Sequence, residues 1–220
     1  MEKQQRAALV FAGPVSRGTL NRLPGLPEQL EYVKSSSVAT ASRAVQALRC
    51  GRTVHRLDEL EGVDLLILSV PDRALPATVA ELLKSGLPLA AMTVVLYDSH
   101  LSSTELELLR DVGAHVASLS WHARPEQFVA EGDAFALRRI RSLTGKKTLL
   151  ILRSKESYLR ALRSTTEDFY PVLASAVQGL REAGMEKGTA ERMAASLIDH
   201  SARVFLRAGR RGRTPPPQAS

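Results

Sequence analysis

Short, nearly unbroken apolar runs alternate along the chain with segments whose apolar positions recur every three or four residues, the pattern of a parallel sheet with crossover helices. Strand-like runs fall at Ala7–Ala12, Leu30–Lys34, Thr53–His55, Leu65–Val70, Thr93–Tyr97, His115–Leu119 and Thr148–Leu152. Leu65–Val70 is almost continuously apolar, which predicts a central strand covered on both faces. Between the strands, Ala39–Arg49, Leu75–Lys84 and Ser103–Val112 read as helices, with Ser102 and Glu105 at capping-box spacing. Asp133 is placed to cap a helix through Leu143 that ends at Gly145. Pro24, Gly25 and Pro27 stop any helix that starts near Gly18 after little more than one turn. The prediction is an α/β fold, a doubly wound and mostly parallel sheet over residues 1–152.

After Leu152 the strand signals cease, and two long helical segments follow, Ser157–Ala183 and Thr189–Leu206, broken at Gly184 and Gly188. Residues 153–208 are therefore expected to form a short helical C-terminal domain. Two helices alone bury too little surface to stand independently, and their wide apolar faces predict a homodimer. Residues 209–220, rich in Arg and Pro, are expected to form a disordered basic tail.

Charge changes this picture little. The formal net charge is +7, but Arg203, Arg207, Arg210, Arg211 and Arg213 lie in a terminal segment with no acid. Most of the excess belongs to that segment rather than to a folded basic face, which argues against a nucleic-acid partner. Cys50 is the only cysteine, so no intramolecular disulfide can form, and a reducing cytoplasmic setting is expected. No apolar run approaches the roughly 20 residues of a membrane span. His55, His100, His115 and His200 show no metal-site spacing, and no metal is expected.

The candidate chemistry lies where predicted strands end. Ala7–Ala12 opens into Gly13-Pro14-Val15-Ser16-Arg17-Gly18, which holds the first and third glycines of a G-x-G-x-x-G turn, with Val15 in place of the second. A glycine-containing turn without a ligand reads the same way. The second strand ends in Lys34, Ser35 and Ser36, with no carboxylate to accept ribose hydroxyls; a cation followed by hydroxyls suits a 2′-phosphate. Leu65–Val70 runs into Pro71 and Asp72, and Thr93–Tyr97 into Asp98, Ser99 and His100, at the edge where open α/β sheets bind ligands. Ordinary turns and helix caps use the same residue types.

Taken together, Leu9–Gly18, Lys34–Ser36, Ala39–Leu48, Asp64–Ala74, Leu101–Leu119 and Phe128–Leu137 resemble bacterial proteins with a Rossmann-like domain followed by a helical domain of unknown function. These are relatives of pyrroline-5-carboxylate reductase, ketopantoate reductase and 6-phosphogluconate dehydrogenase. The resemblance implies NADP(H) at Gly13, Gly18, Lys34, Ser35 and Ser36, with Pro71 near the nicotinamide end, and dimerisation through the helices. The chain departs from the family at Leu96-Tyr97-Asp98-Ser99, where relatives read His-Leu-Ser-Gly, and at Ser120-Trp121, where they read His-Pro. Their Lys-x-x-Tyr-His becomes Lys155-Glu156-Ser157-Tyr158-Leu159, and a later Asn becomes Glu167.

The catalytic candidates are Lys155, expected at the domain junction, and His122, expected in a loop after Trp121. The cofactor candidates are Gly13, Val15, Ser16, Gly18, Lys34, Ser35, Ser36, Val70, Pro71, Asp72, Asp98 and Ser99. Two functions fit: an NADP(H)-dependent reductase or dehydrogenase acting on a small substrate in an interdomain cleft, or a non-catalytic relative serving a protein contact or regulation.

Overall fold

A computed structural model describes residues 6–13, 22–123 and 126–209. Val15, Ser16 and Gly18, and the tail from Arg210 onward, lie outside the described residues. The chain divides into two compact units, Met1–Tyr158 and Leu159–Ser220.

The first unit is built on eight strands: β1 (Ala7–Phe11), β2 (Leu30–Ser35), β3 (Arg52–Thr53), β4 (Leu65–Ser69), β5 (Thr93–Tyr97), β6 (His115–Ala123), β7 (Glu126–Gly132) and β8 (Leu149–Ile151). They lie in the order β3-β2-β1-β4-β5-β6-β7-β8. β1 to β6 run parallel, β7 is antiparallel to β6, and β8 is parallel to β7. The order reverses between β1 and β4, so the doubly wound prediction holds and the switch point falls at these two strands.

Period-two alternation divides the side chains of the sheet between two cores. Leu9 and Phe11 of β1, Val33 of β2 and Ile67 of β4 pack with Ala41, Ala44 and Leu48 of α1 (Val38–Leu48) and Ile140 and Leu143 of α2 (Ala134–Thr144). Ala8, Val10, Tyr32, Leu66 and Leu68 pack on the other face with Leu75, Val79 and Leu82 of α3 (Leu75–Lys84) and Leu109 of α4 (Glu107–Asp111).

Two local expectations are corrected. β6 runs to Ala123 and pairs Trp121 with Phe128 and His122 with Gln127, so Trp121 and His122 lie on a strand, not in a loop. β7 itself was not predicted, because only Phe128-Val129-Ala130 is apolar between Glu126 and Glu131. Gly132 ends it at φ +149, where any side chain would meet the backbone of Val116 and Ala117. Asp133 precedes α2 but does not cap it through its side chain. Its carboxylate instead accepts from Val116 N at 2.8 Å and Arg110 Nε at 3.2 Å, tying α4 and β6 to the start of α2.

α5 (Lys155–Glu167) carries the chain across the boundary between the units. The long helix expected over Ser157–Ala183 is divided at Asp168, and α6 (Phe169–Glu182) begins after it. Gly184, at φ +93, turns the chain, whereas Gly188 lies in the first turn of α7 (Lys187–Gly209) rather than at a break. α6 packs on α7. Among the described residues no helix is long and apolar enough to cross a membrane.

Candidate functional site

At the switch point, β1 and β4 are held together by Ala12 N donating to Ser69 O at 3.0 Å. Gly13 then turns the chain at φ +113, a conformation that favours glycine, and among the described residues nothing lies within 4 Å of where a side chain would start. On the other side of β1, the last residue of β2, Ser35, is in register with Phe11. Ser35 is 8% exposed, and among the described residues its Oγ has no hydrogen-bond partner. Leaving a buried hydroxyl unsatisfied costs about 1–3 kcal/mol, which a ligand oxygen at this edge would relieve. The residues present thus fit a dinucleotide. Lys34 points the other way: its Nζ lies 3.1 Å from Glu81 Oε1 on α3. Ser36 is exposed, and Ser37 caps α1 by accepting from Thr40 N at 3.2 Å. Beyond β4, half-buried Val70 leads to exposed Pro71 and Asp72.

The next two strand ends are joined by a buried polar network. Asp98 follows β5 in a left-handed conformation, φ +56, with its N–H donating to Leu119 O at 2.8 Å and its carboxylate 3.5 Å from Arg22. Ser99 is buried; its Oγ donates to Asp72 Oδ1 at 2.8 Å and accepts from Leu101 N at 2.9 Å. Lys155 is fully buried at the start of α5. Its Nζ donates to Ser99 O at 2.9 Å, Ser118 Oγ at 2.6 Å and Ser120 Oγ at 2.7 Å. The two serines donate in turn to Leu101 O and Ser99 O. Three N–H groups therefore meet three uncharged oxygens.

Burial pushes the Lys155 ammonium down to about 8, against the opposing pull of Glu131, Asp72 and Asp98. Glu131 receives Ser102 Oγ at 3.0 Å, Ser103 Oγ at 3.1 Å and the Lys155 N–H at 3.1 Å, which anchors the first turn of α5. Tyr158, one turn further on, packs edge-on against His122 with ring centres 5.5 Å apart. Burial, then the charges of Lys155 and His100, hold His122 below its ordinary value against the pull of Asp98. This favours the uncharged imidazole at neutral pH.

The structure thus brings Asp72, Asp98, Ser99 and Lys155 together, and sets Gly13, Ser35, Ser36, Val70 and Pro71 along the same edge. It does not bring the Lys34 ammonium there. Ser118, Ser120 and Glu131 were not singled out as site residues. Two serines two residues apart share a face of a strand, and that spacing becomes informative only once β6 is known to extend past Leu119.

Strand order and switch point define a Rossmann-like α/β fold. No family model and no curated protein matches the sequence. Solved structures do match in fold. A pyrroline-5-carboxylate reductase from Coxiella burnetii superposes with a TM-score of 0.54 at 13% identity, over 99% of this chain and 87% of that one. An imine reductase from Aspergillus terreus, in complex with NADPH4 and a dibenzazepine, gives 0.69 at 17% identity, over 98% and 81%. An imine reductase variant from Myxococcus stipitatus, in complex with NAD+, gives 0.67 at 13% identity, over 99% and 81%. The chain has the fold of the pyrroline-5-carboxylate reductase and imine reductase structures, as the sequence resemblance implies; at these identities the likeness is one of fold.

Proposed function

We propose that this chain is an NADP(H)-binding, oxidoreductase-like protein that acts on a small substrate at the carboxyl edge of its sheet. One observation carries the reading. Gly13, Ser35, Pro71–Asp72 and Asp98–Ser99 lie at the carboxyl ends of four neighbouring strands at the switch point, and the buried Ser35 hydroxyl has no partner among the described residues. The imine reductase structures of this fold are complexes with NADPH4 and with NAD+. The absence of a carboxylate at Lys34-Ser35-Ser36-Ser37 favours the 2′-phosphorylated form.

A bound NADPH would supply the hydride. Gly13, Ser35 and Ser36 would hold its phosphate and ribose oxygens, and Val70, Pro71 and Asp72 its nicotinamide end. Lys155 fastens the end of β5 to β6 through Ser99, Ser118 and Ser120. His122, whose uncharged form is favoured at neutral pH, is the group beside them that exchanges a proton with substrate.

A second reading is a dinucleotide-binding or interaction module without catalysis. It is favoured by Lys155, whose three donors are all engaged by the protein and so are not free to protonate a substrate. Fluorescence titration of the protein with NADPH and NADH, followed by NADPH oxidation on a panel of imines and carbonyls, separates the readings. Saturable NADPH binding with turnover supports the first; binding without turnover supports the second; no binding of either dinucleotide contradicts the first and reduces the second to a cofactor-free interaction module. The assembly proposed is a homodimer through α6 and α7, in the reducing cytoplasm that the lone Cys50 suits.

A further inference from the structure

We propose that Arg43, not Lys34, is the cation that selects a 2′-phosphorylated dinucleotide, acting with the hydroxyls of Ser35 and Ser36; this rests on the dinucleotide reading above. The pleat of β2 separates the two candidates. Val10 and Lys34 are in register, as are Phe11 and Ser35. Val10 belongs to the core beneath α3, and Phe11 to the core beneath α1. Lys34 therefore projects toward α3 and Ser35 toward α1. The Lys34 side chain is 12% exposed and already faces the Glu81 carboxylate at 3.1 Å. To meet the same anion as Ser35 it would have to leave that partner and cross the sheet.

Arg43 is on the α1 side, one and a half turns into the helix that starts beside Ser36. Its side chain folds back toward the first turn, with Nε 3.3 Å from Ala39 O and Nη2 3.4 Å from Thr40 Oγ1. Thr40 Oγ1 in turn accepts from Ser37 Oγ at 2.9 Å. A row of polar groups thus leads from the end of β2 to an exposed guanidinium. Among the described residues no carboxylate pairs with it, and the first turn of α1 holds no acid. Both Arg43 hydrogen bonds are long, so the group is available to a better acceptor.

A phosphate dianion satisfies these features together. A guanidinium offers it a two-pronged fork, and the N-terminal end of an 11-residue helix favours negative charge. The buried Ser35 Oγ supplies a further donor that lacks a partner among the described residues. NADH, with a 2′-hydroxyl in that place, offers no charge to either group.

The test is equilibrium titration of the full chain with NADPH and with NADH, for the wild type, Arg43→Ala, Arg43→Lys and Lys34→Ala, each checked by its melting curve. Arg43→Ala is expected to weaken NADPH about tenfold and to leave NADH within about twofold, with Arg43→Lys in between. Lys34→Ala is expected to lower the melting temperature by breaking the link to Glu81, and to leave the ratio of the two affinities unchanged. An unchanged ratio in Arg43→Ala, or a ratio that collapses in Lys34→Ala, overturns the assignment. A wild type that binds both dinucleotides equally overturns the selection but keeps the dinucleotide reading. A wild type that binds neither removes both.

Discussion

Lys155 shows how much a single buried charge can organise. Its ammonium joins Ser99, just past β5, to the middle of β6, and the Ser118 and Ser120 hydroxyls it touches each also hold a backbone carbonyl, so the end of β5 is tied to β6. Its position next to His122 makes a direct prediction. Replacing the charge in Lys155→Met removes one of the influences that depress the His122 value, so the imidazole should titrate at a higher pH in the variant. Ring-proton NMR measures this; an unchanged or lower value would show that the Lys155 charge does not reach the ring.

The same residue sets a pH dependence of stability. Between about 8 and the ordinary lysine value of 10.5, the unfolded chain holds a proton that folded Lys155 has released. Stability contributed by this site therefore rises with pH across that interval. Urea unfolding of the wild type relative to Lys155→Met should show this rise, and parallel curves for the two proteins would refute it. Lys155, Asp98 and Ser99 could be picked out in the sequence because they sit at strand or helix ends. Ser118 and Glu131 could not, since their partners are 37 and 24 residues from them along the chain.

At the scale of elements, β1, β2, β4, β5 and β6 were legible as largely apolar runs bounded by turn residues, whereas β3 is only Arg52–Thr53 and meets the expected Thr53–His55 at one residue. β7 was not, because its pairing with β6 comes from tertiary contact rather than from its own alternation. That hairpin carries Trp121, His122 and Glu131, so the unread element is also the one that completes the site. Its tightest point is Gly132. A methyl group there would meet the Val116 and Ala117 backbone at a positive φ, and Gly132→Ala should cost about 2 kcal/mol or more. A loss in urea unfolding below about 0.5 kcal/mol would mean that the β6–β7 pair can relax around the added atom. The 3.1 Å Lys34–Glu81 pair shows why strand ends mislead when read as text: adjacent letters at the end of β2 face opposite sides of the sheet.

For the whole molecule, the helical segment was legible as a change of pattern, and so was its break at Gly184; the break at Asp168 was not. Asp168 divides what reads as one helix, and the boundary between the compact units falls at Tyr158 rather than at Leu152. Tyr170 is 75% exposed, and Phe205 and Leu206 are more than 60% exposed. A second copy of this face would cover such residues. Light scattering should give twice the 23.9 kDa chain mass, and Phe205→Glu should shift the protein toward the monomer. A wild-type mass of a single chain contradicts the homodimer.

A nicotinamide dinucleotide across the carboxyl ends of β2, β1, β4 and β5 should leave its mark on backbone amide exchange measured with and without saturating NADPH. Exchange is expected to slow at Gly13, at Ser35 to Ser37, around Val70 to Asp72 and at Asp98 and Ser99, with no change at the opposite edge around Arg6 and Asp64. Protection confined to that opposite edge, or spread over α6 and α7 alone, would contradict it.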